Sequence, residues 1–236
     1  MRRRALLAIV AGLPITGCTR STDGPAPDPP PGPTAPSPPT RWAPRSAPAV
    51  AADYRWLTTD PKFSGMGFCL TWVRDLSPAE IARRIGARVG GVHPWKSIPE
   101  PGDDDAQLVI TDTGGWSLVV EYNGFVALDD DLPKSLSAGT RLIANYLNVE
   151  NDGRFVLVDD GRIVVDFDPS NPEPIYGTEP GLIRPDMAGL GFDDTSREDY
   201  TEAALVLTER LTGVPLTEGD LHGSDYLTAT VPDPFS

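Results

Sequence analysis

The sequence predicts an α+β domain, an antiparallel sheet of about five strands in meander order with helices packed on one face. Three observations predict it. Apolar and polar residues alternate around tight turns at 107–122 and 155–167. Between them, TRLIANYLNV reads as a strand covered on both sides, and two further segments carry helix start and stop signals.

The first helix signal is LSPAEIARRI at 76–85. Ser77 can cap, Pro78 suits the first helical position, Glu80 completes a capping box, and Leu76 can staple onto Ile81. Ile81 and Ile85 share a face, and the helix ends near Gly86. In QLVITDTGGWSLVVEY, Leu108 and Ile110 alternate before a Gly114-Gly115 turn, and Trp116, Leu118, Val120 and Tyr122 alternate after it. LPKSLSAG offers a helical turn.

The next segment puts Leu142, Ala144 and Tyr146 on one side and Ile143, Leu147 and Val149 on the other, while Asn145 and Asn148 weaken a helix. A second hairpin runs from Phe155–Val158 through Asp160-Gly161 to Ile163, Val165 and Phe167. A short turn of helix follows at 184–190, set off by Pro185. Arg197 to Leu211 is a longer helix with Ala203, Ala204, Leu207 and Leu211 as its stripe and Gly213 as its stop. The tail from Val214 to Ser236 reads as a late helix or an extended wrap.

Ahead of the domain lies an address. Arg2, Arg3 and Arg4 precede an apolar run from Ala5 to Ile15, too short for the roughly 20 residues of a membrane-spanning helix. The order Ile15-Thr16-Gly17-Cys18 resembles the lipobox of bacterial lipoproteins, in which the cysteine is lipidated and becomes the first mature residue. The stretch after Cys18 is dominated by Pro, Ser, Thr, Ala and Gly, a composition that favours an extended spacer. The expected organisation is a signal peptide at 1–17, a lipidated cysteine and proline-rich tether at 18–50, and one globular domain at 51–236 on the outer face of the plasma membrane.

A formal net charge of -14 argues against nucleic acid, which needs a concentrated positive surface. It also disfavours attachment to anionic lipid by charge, leaving the covalent anchor at Cys18 as the route to the bilayer. Apart from Cys18 the chain has only Cys69, set among apolar neighbours as a buried thiol, so no disulfide framework is expected. The acidic runs Asp103-Asp104-Asp105, Asp129-Asp130-Asp131, Asp159-Asp160 and Asp193-Asp194 fall at expected turns.

No HExxH, Gly-x-Ser-x-Gly, GxxxxGK or CxxC pattern occurs, and no cofactor is implied. Paired carboxylates are the remaining catalytic option: Glu121 with Asp166 or Asp168 would serve a glycosidase if they lay about 5–9.5 Å apart. The oxygen donors Asp166, Asp168 and Glu173 in DFDPSNPEP loosely resemble a calcium loop, without its central glycine or terminal glutamate. His93, in the glycine-rich GGVHPW, and His222 are the only histidines. Trp95, with Trp56 and His93, is the candidate recognition patch for an envelope protein or wall glycan.

FCLTWVRDLSPAEIARRIGA at 68–87, GGWSLVVEYNGF at 114–125, LSAGTRLIANYLNV with GRFVLVDDGRIVVDFDP at 136–169, PDMAGLGF at 185–192 and LTERLTGVPLT at 207–217 together resemble an uncharacterised actinobacterial family, the domain of unknown function numbered 6461. The resemblance spans the chain from Tyr54 onward and implies a bacterial origin and one family-sized domain, with no activity or site residues to carry across. The expectation is therefore an extracytoplasmic lipoprotein that binds a protein or ligand. A cell-wall hydrolase with paired carboxylates and a passive structural lipoprotein are the competing readings.

Overall fold

The computed structural model describes residues 42–100, 102, 105–122, 124, 128–129, 131–194 and 196–232. Cys18, the signal segment and most of the tether lie outside the described residues, as do Asp103, Asp104 and Asp130.

One sheet of nine strands organises the domain: β1 (Phe68–Arg74), β2 (Arg88–Pro94), β3 (Asp105–Asp112), β4 (Trp116–Tyr122), β5 (Arg141–Leu147), β6 (Gly153–Asp159), β7 (Arg162–Asp168), β8 (Asn171–Tyr176) and β9 (Asp225–Pro232). The described pairings are antiparallel, in the order β2-β9-β3-β4-β1-β5-β6-β7-β8. This corrects the expected meander of about five strands. Only β5 to β8 follow one another as a meander. β1 inserts between β4 and β5, and β9 inserts between β2 and β3.

The helices are α1 (Arg55–Thr59), α2 (Pro78–Ile85), α3 (Asp131–Leu136), α4 (Arg184–Met187), α5 (Tyr200–Thr212) and α6 (Glu218–Gly223). They cover both faces of the sheet, a second correction. On one face α1 and α5 bury Leu57 and Ala203 to Leu207 against Phe68, Leu70, Trp72, Leu118, Val120 and Ile143. On the other, Ile81 and Ala82 of α2 and Leu136 of α3 lie on Leu108, Val119, Leu142, Ala144 and Val156. A central strand sandwiched in this way is apolar on both sides, so β1 (FCLTWVR) lacks the alternation that reveals a half-buried strand.

Local chemistry sets the element ends. Ser77 accepts the Glu80 amide at 3.3 Å, and Gly86 closes α2 at φ +73. The Glu80 side chain instead forks to Arg83 and Arg84, at 2.7 and 3.0 Å, which lowers its carboxyl pKa to about 2. Asp160 and Gly161 both take positive φ at the β6–β7 turn, as a two-residue hairpin of this type requires.

Among the described residues, packing against the sheet and α5 includes the segment from Trp42. Trp42 is buried and donates from Nε1 to Ser224 Oγ at 3.2 Å. Arg45 and the Tyr54 hydroxyl both reach Glu209 Oε2 on α5, at 2.9 and 2.5 Å. Asn145 of β5 donates to Thr208 Oγ1 at 2.7 Å, tying α5 to the middle of the sheet. Among the described residues, no helix is long and apolar enough to cross a membrane.

Candidate functional site

The loop Asp60–Gly67, between α1 and β1, brings together residues far apart in sequence. Asp60 nucleates it: its carbonyl accepts the amides of Phe63 and Ser64, and its Oδ1 accepts the Lys62 amide at 2.8 Å. Its Oδ2 lies 3.1 Å from Nε2 of His222, on the last turn of α6. Glu218 approaches the other ring nitrogen at 3.9 Å. Asp60 is thus committed on both oxygens, and the imidazole is held between two carboxylates.

Aromatic rings continue from His222 in two directions. Trp95, at the start of a 3₁₀ turn after β2, stacks on the imidazole at 5.6 Å and 26°, and Trp56 meets it edge-on at 6.3 Å. Trp95 also contacts Tyr226 at 5.2 Å and Phe63 at 6.1 Å, and Phe63 leads on to Tyr122 at 5.6 Å. The Lys62 ammonium lies over this group, 5.0 Å from the Trp95 centroid and 5.8 Å from that of Tyr122. A cation over two ring faces is held by their quadrupoles, at about 0.5–1 kcal/mol where exposed.

Two polar atoms at the edges of the cluster, Trp56 Nε1 and Tyr122 Oη, are enclosed and have no hydrogen-bond partner among the described residues. Burial, with the charges of Asp60 and Glu100, pushes the Tyr122 phenol well above its ordinary range. It therefore remains a neutral hydroxyl able to donate.

The structure brings Trp56 and Trp95 of the expected patch together through His222, but it buries Trp95, which is 3 % exposed. The outer layer of the cluster is Lys62 and the half-buried Trp56 and His222. His93 lies on β2 rather than in a loop, with its ring over Gly91 of its own strand, and makes no ring contact with the cluster among the described residues. Asp60, Lys62 and Tyr122 carried no local motif in the sequence; only the tertiary fold joins them to His222.

The carboxylates do not converge. Glu121 sits on β4 opposite Cys69 and Leu108, 1 % exposed, on the face covered by α2 and α3. Asp166 lies on β7, gripped by Arg154 through both oxygens at 3.0 and 2.7 Å. Strands β1, β5 and β6 stand between them, and four spacings of about 4.8 Å separate the two by roughly 19 Å, about twice the widest glycosidase pair. Asp168 accepts the Ser170 amide and hydroxyl, each at 2.8 Å, and Glu173 pairs with Arg184 at 2.6 Å. Each acid of the supposed calcium loop thus has its own partner. Among the described residues, no group of three His, Cys, Asp or Glu side chains is placed to hold a metal ion.

The model of a family described as a family of unknown function (DUF6461) matches residues 47–235. No curated protein and no solved structure matches the chain.

Proposed function

The chain belongs to this family of unknown function, and from that premise we propose that it is an extracytoplasmic lipoprotein, anchored through Cys18, whose domain recognises an envelope protein or wall glycan at the Trp95–His222 cluster. The observation that carries the proposal is the Lys62 ammonium lying over Trp95 and Tyr122. Lys62 is exposed, and a lysine stem has several rotatable bonds, so its displacement would uncover ring surface of Trp95 and Tyr122 beside a polar Asp60–His222 pair. Aromatic faces flanked by a few fixed polar groups suit recognition, because rigid rings contribute contact area at small entropic cost.

The address rests on the Arg-rich start, the short apolar run and the lipobox-like Ile15-Thr16-Gly17-Cys18, followed by the proline-rich tether. The hydrolase reading finds little support in the wide separation of Glu121 from Asp166. Among the described residues, the side-chain hydrogen bond and ion-pair contacts of His222 are to Asp60 and Glu218, not to a hydroxyl or thiol of the kind a catalytic base activates.

Mild crosslinking of the tagged protein in its native cells, followed by mass spectrometry of the captured material, tests the proposal. The expected result is a distinct envelope component recovered with the lipidated protein and lost with Cys18→Ala. Identical recovery with both forms would remove the anchored-recognition reading.

A further inference from the structure

Next to Phe63, the Asp60–Gly67 loop, the end of β5 and the start of α5 line a partly open cavity of about 240 Å³. Its walls include Phe63, Phe68, Asn148, Glu198, Tyr200 and Glu202. Glu202 is only 6 % exposed, yet it carries a carboxylate into this space. Its Oε1 accepts the Thr58 hydroxyl at 2.9 Å. No hydrogen bond to its Oε2 is found among the described residues, and Glu202 is one of the residues that line the cavity.

A carboxylate this deep is costly unless a counter-charge balances it. The start of α5 offsets part of the charge, since Glu202 lies in the helix's first turn. Among the described residues, no Lys, Arg or His side chain lines the cavity itself. The surrounding field is negative as well: the Tyr200 phenol is raised by burial and then by the charges of Asp168, Glu202 and Asp152. The rings of Phe63, Phe68 and Tyr200 are surfaces that attract a cation.

We infer that this cavity is a binding site for a side-chain-sized organic cation, an alkylammonium or guanidinium group, with Glu202 as its anionic anchor. The volume is below the roughly 300–1,000 Å³ of pockets for drug-sized ligands, which suits a single cationic head group rather than a cofactor. A bare hard cation fits poorly, because the described residues provide no three-carboxylate grouping. This site shares Phe63 and the Asp60–Gly67 loop with the Trp95–His222 cluster, but the inference does not require a ligand at that cluster.

The test is a titration of the folded domain followed by backbone amide NMR, using n-butylammonium and methylguanidinium as probes and n-butanol as the neutral control. The expected result is saturable shifts at Gly65, Tyr200 and Glu202 with a cationic probe, absent with butanol, and affinity lowered about tenfold or more in Glu202→Gln. Glutamine keeps an acceptor for Thr58, and an unchanged melting temperature shows that the variant is folded. Equal shifts with butanol, no saturable shift with either cation, or unchanged affinity in a folded Glu202→Gln would overturn the inference.

Discussion

Asp60 Oδ2 lies 3.1 Å from His222 Nε2, joining positions 162 residues apart. The same carboxylate caps its own loop through the Lys62 amide, so one side chain sets the loop, the imidazole and the lysine that lies over Trp95. Replacing Asp60 by alanine removes both hydrogen bonds, and about 1–3 kcal/mol of stability should be lost by urea unfolding. A loss below about 0.5 kcal/mol would show that the pairing does not organise the loop.

Lys62→Ala should separate cover from core. With the ammonium gone, tryptophan emission should shift to longer wavelength and iodide quenching should rise, while stability changes by no more than about 1 kcal/mol. Unchanged quenching would mean that Lys62 does not shield Trp95.

Gly65 and Gly67 offer a contrast within one loop. Both take positive φ, +81 and +75, but a Cβ at Gly65 meets nothing within 4 Å, whereas one at Gly67 would lie 2.4 Å from Leu147 O and 2.9 Å from Asn148 Cα. Gly65→Ala should therefore cost about 1 kcal/mol from backbone strain alone. Gly67→Ala should cost at least about twice that, because the loop must also move off β5. Equal melting temperatures for the two variants would contradict this packing.

Alkaline pH should destabilise the domain. Burial raises the phenols of Tyr54, Tyr122 and Tyr226 above their ordinary range, assisted by Glu209 at Tyr54, by Asp60 and Glu100 at Tyr122, and by Tyr122 and Asp220 at Tyr226. Above about pH 10 the unfolded chain loses these protons while the native chain retains them. The native state then binds more protons, so unfolding becomes more favourable as pH rises. Melting temperatures should fall above about pH 10, and less steeply in Tyr54→Phe. A pH-independent melting temperature across that range would contradict the burial of all three phenols.

The parts of the fold that were legible in the sequence are those governed by local rules. The β3–β4 and β6–β7 hairpins follow from alternation and turn glycines, β5 from its two apolar sides, and α2 from Ser77, Pro78 and Gly86. The missing strands break those rules for physical reasons. β1 is apolar on both sides, β2 carries Gly90-Gly91 in its interior, and β8 has Pro172 and Pro174, which an edge strand tolerates. β9 alternates, yet it pairs with β2 and β3 from more than a hundred residues away, a choice that no local pattern encodes. The grouping of Trp56 with Trp95 was an expectation for a recognition patch, not a consequence of any local spacing. The His222, Asp60 and Lys62 contacts were not legible, because each arises from packing of separate turns.

The most direct test of recognition at the cluster is site-specific photocrosslinking in native cells. A photoreactive amino acid is placed in lieu of Lys62 and, as a control, in lieu of Tyr176, which is 64 % exposed on the opposite edge strand β8. The account predicts a discrete crosslinked envelope product from position 62 and none from position 176. The same product from both positions, or none from position 62 in a folded and exported protein, would contradict it.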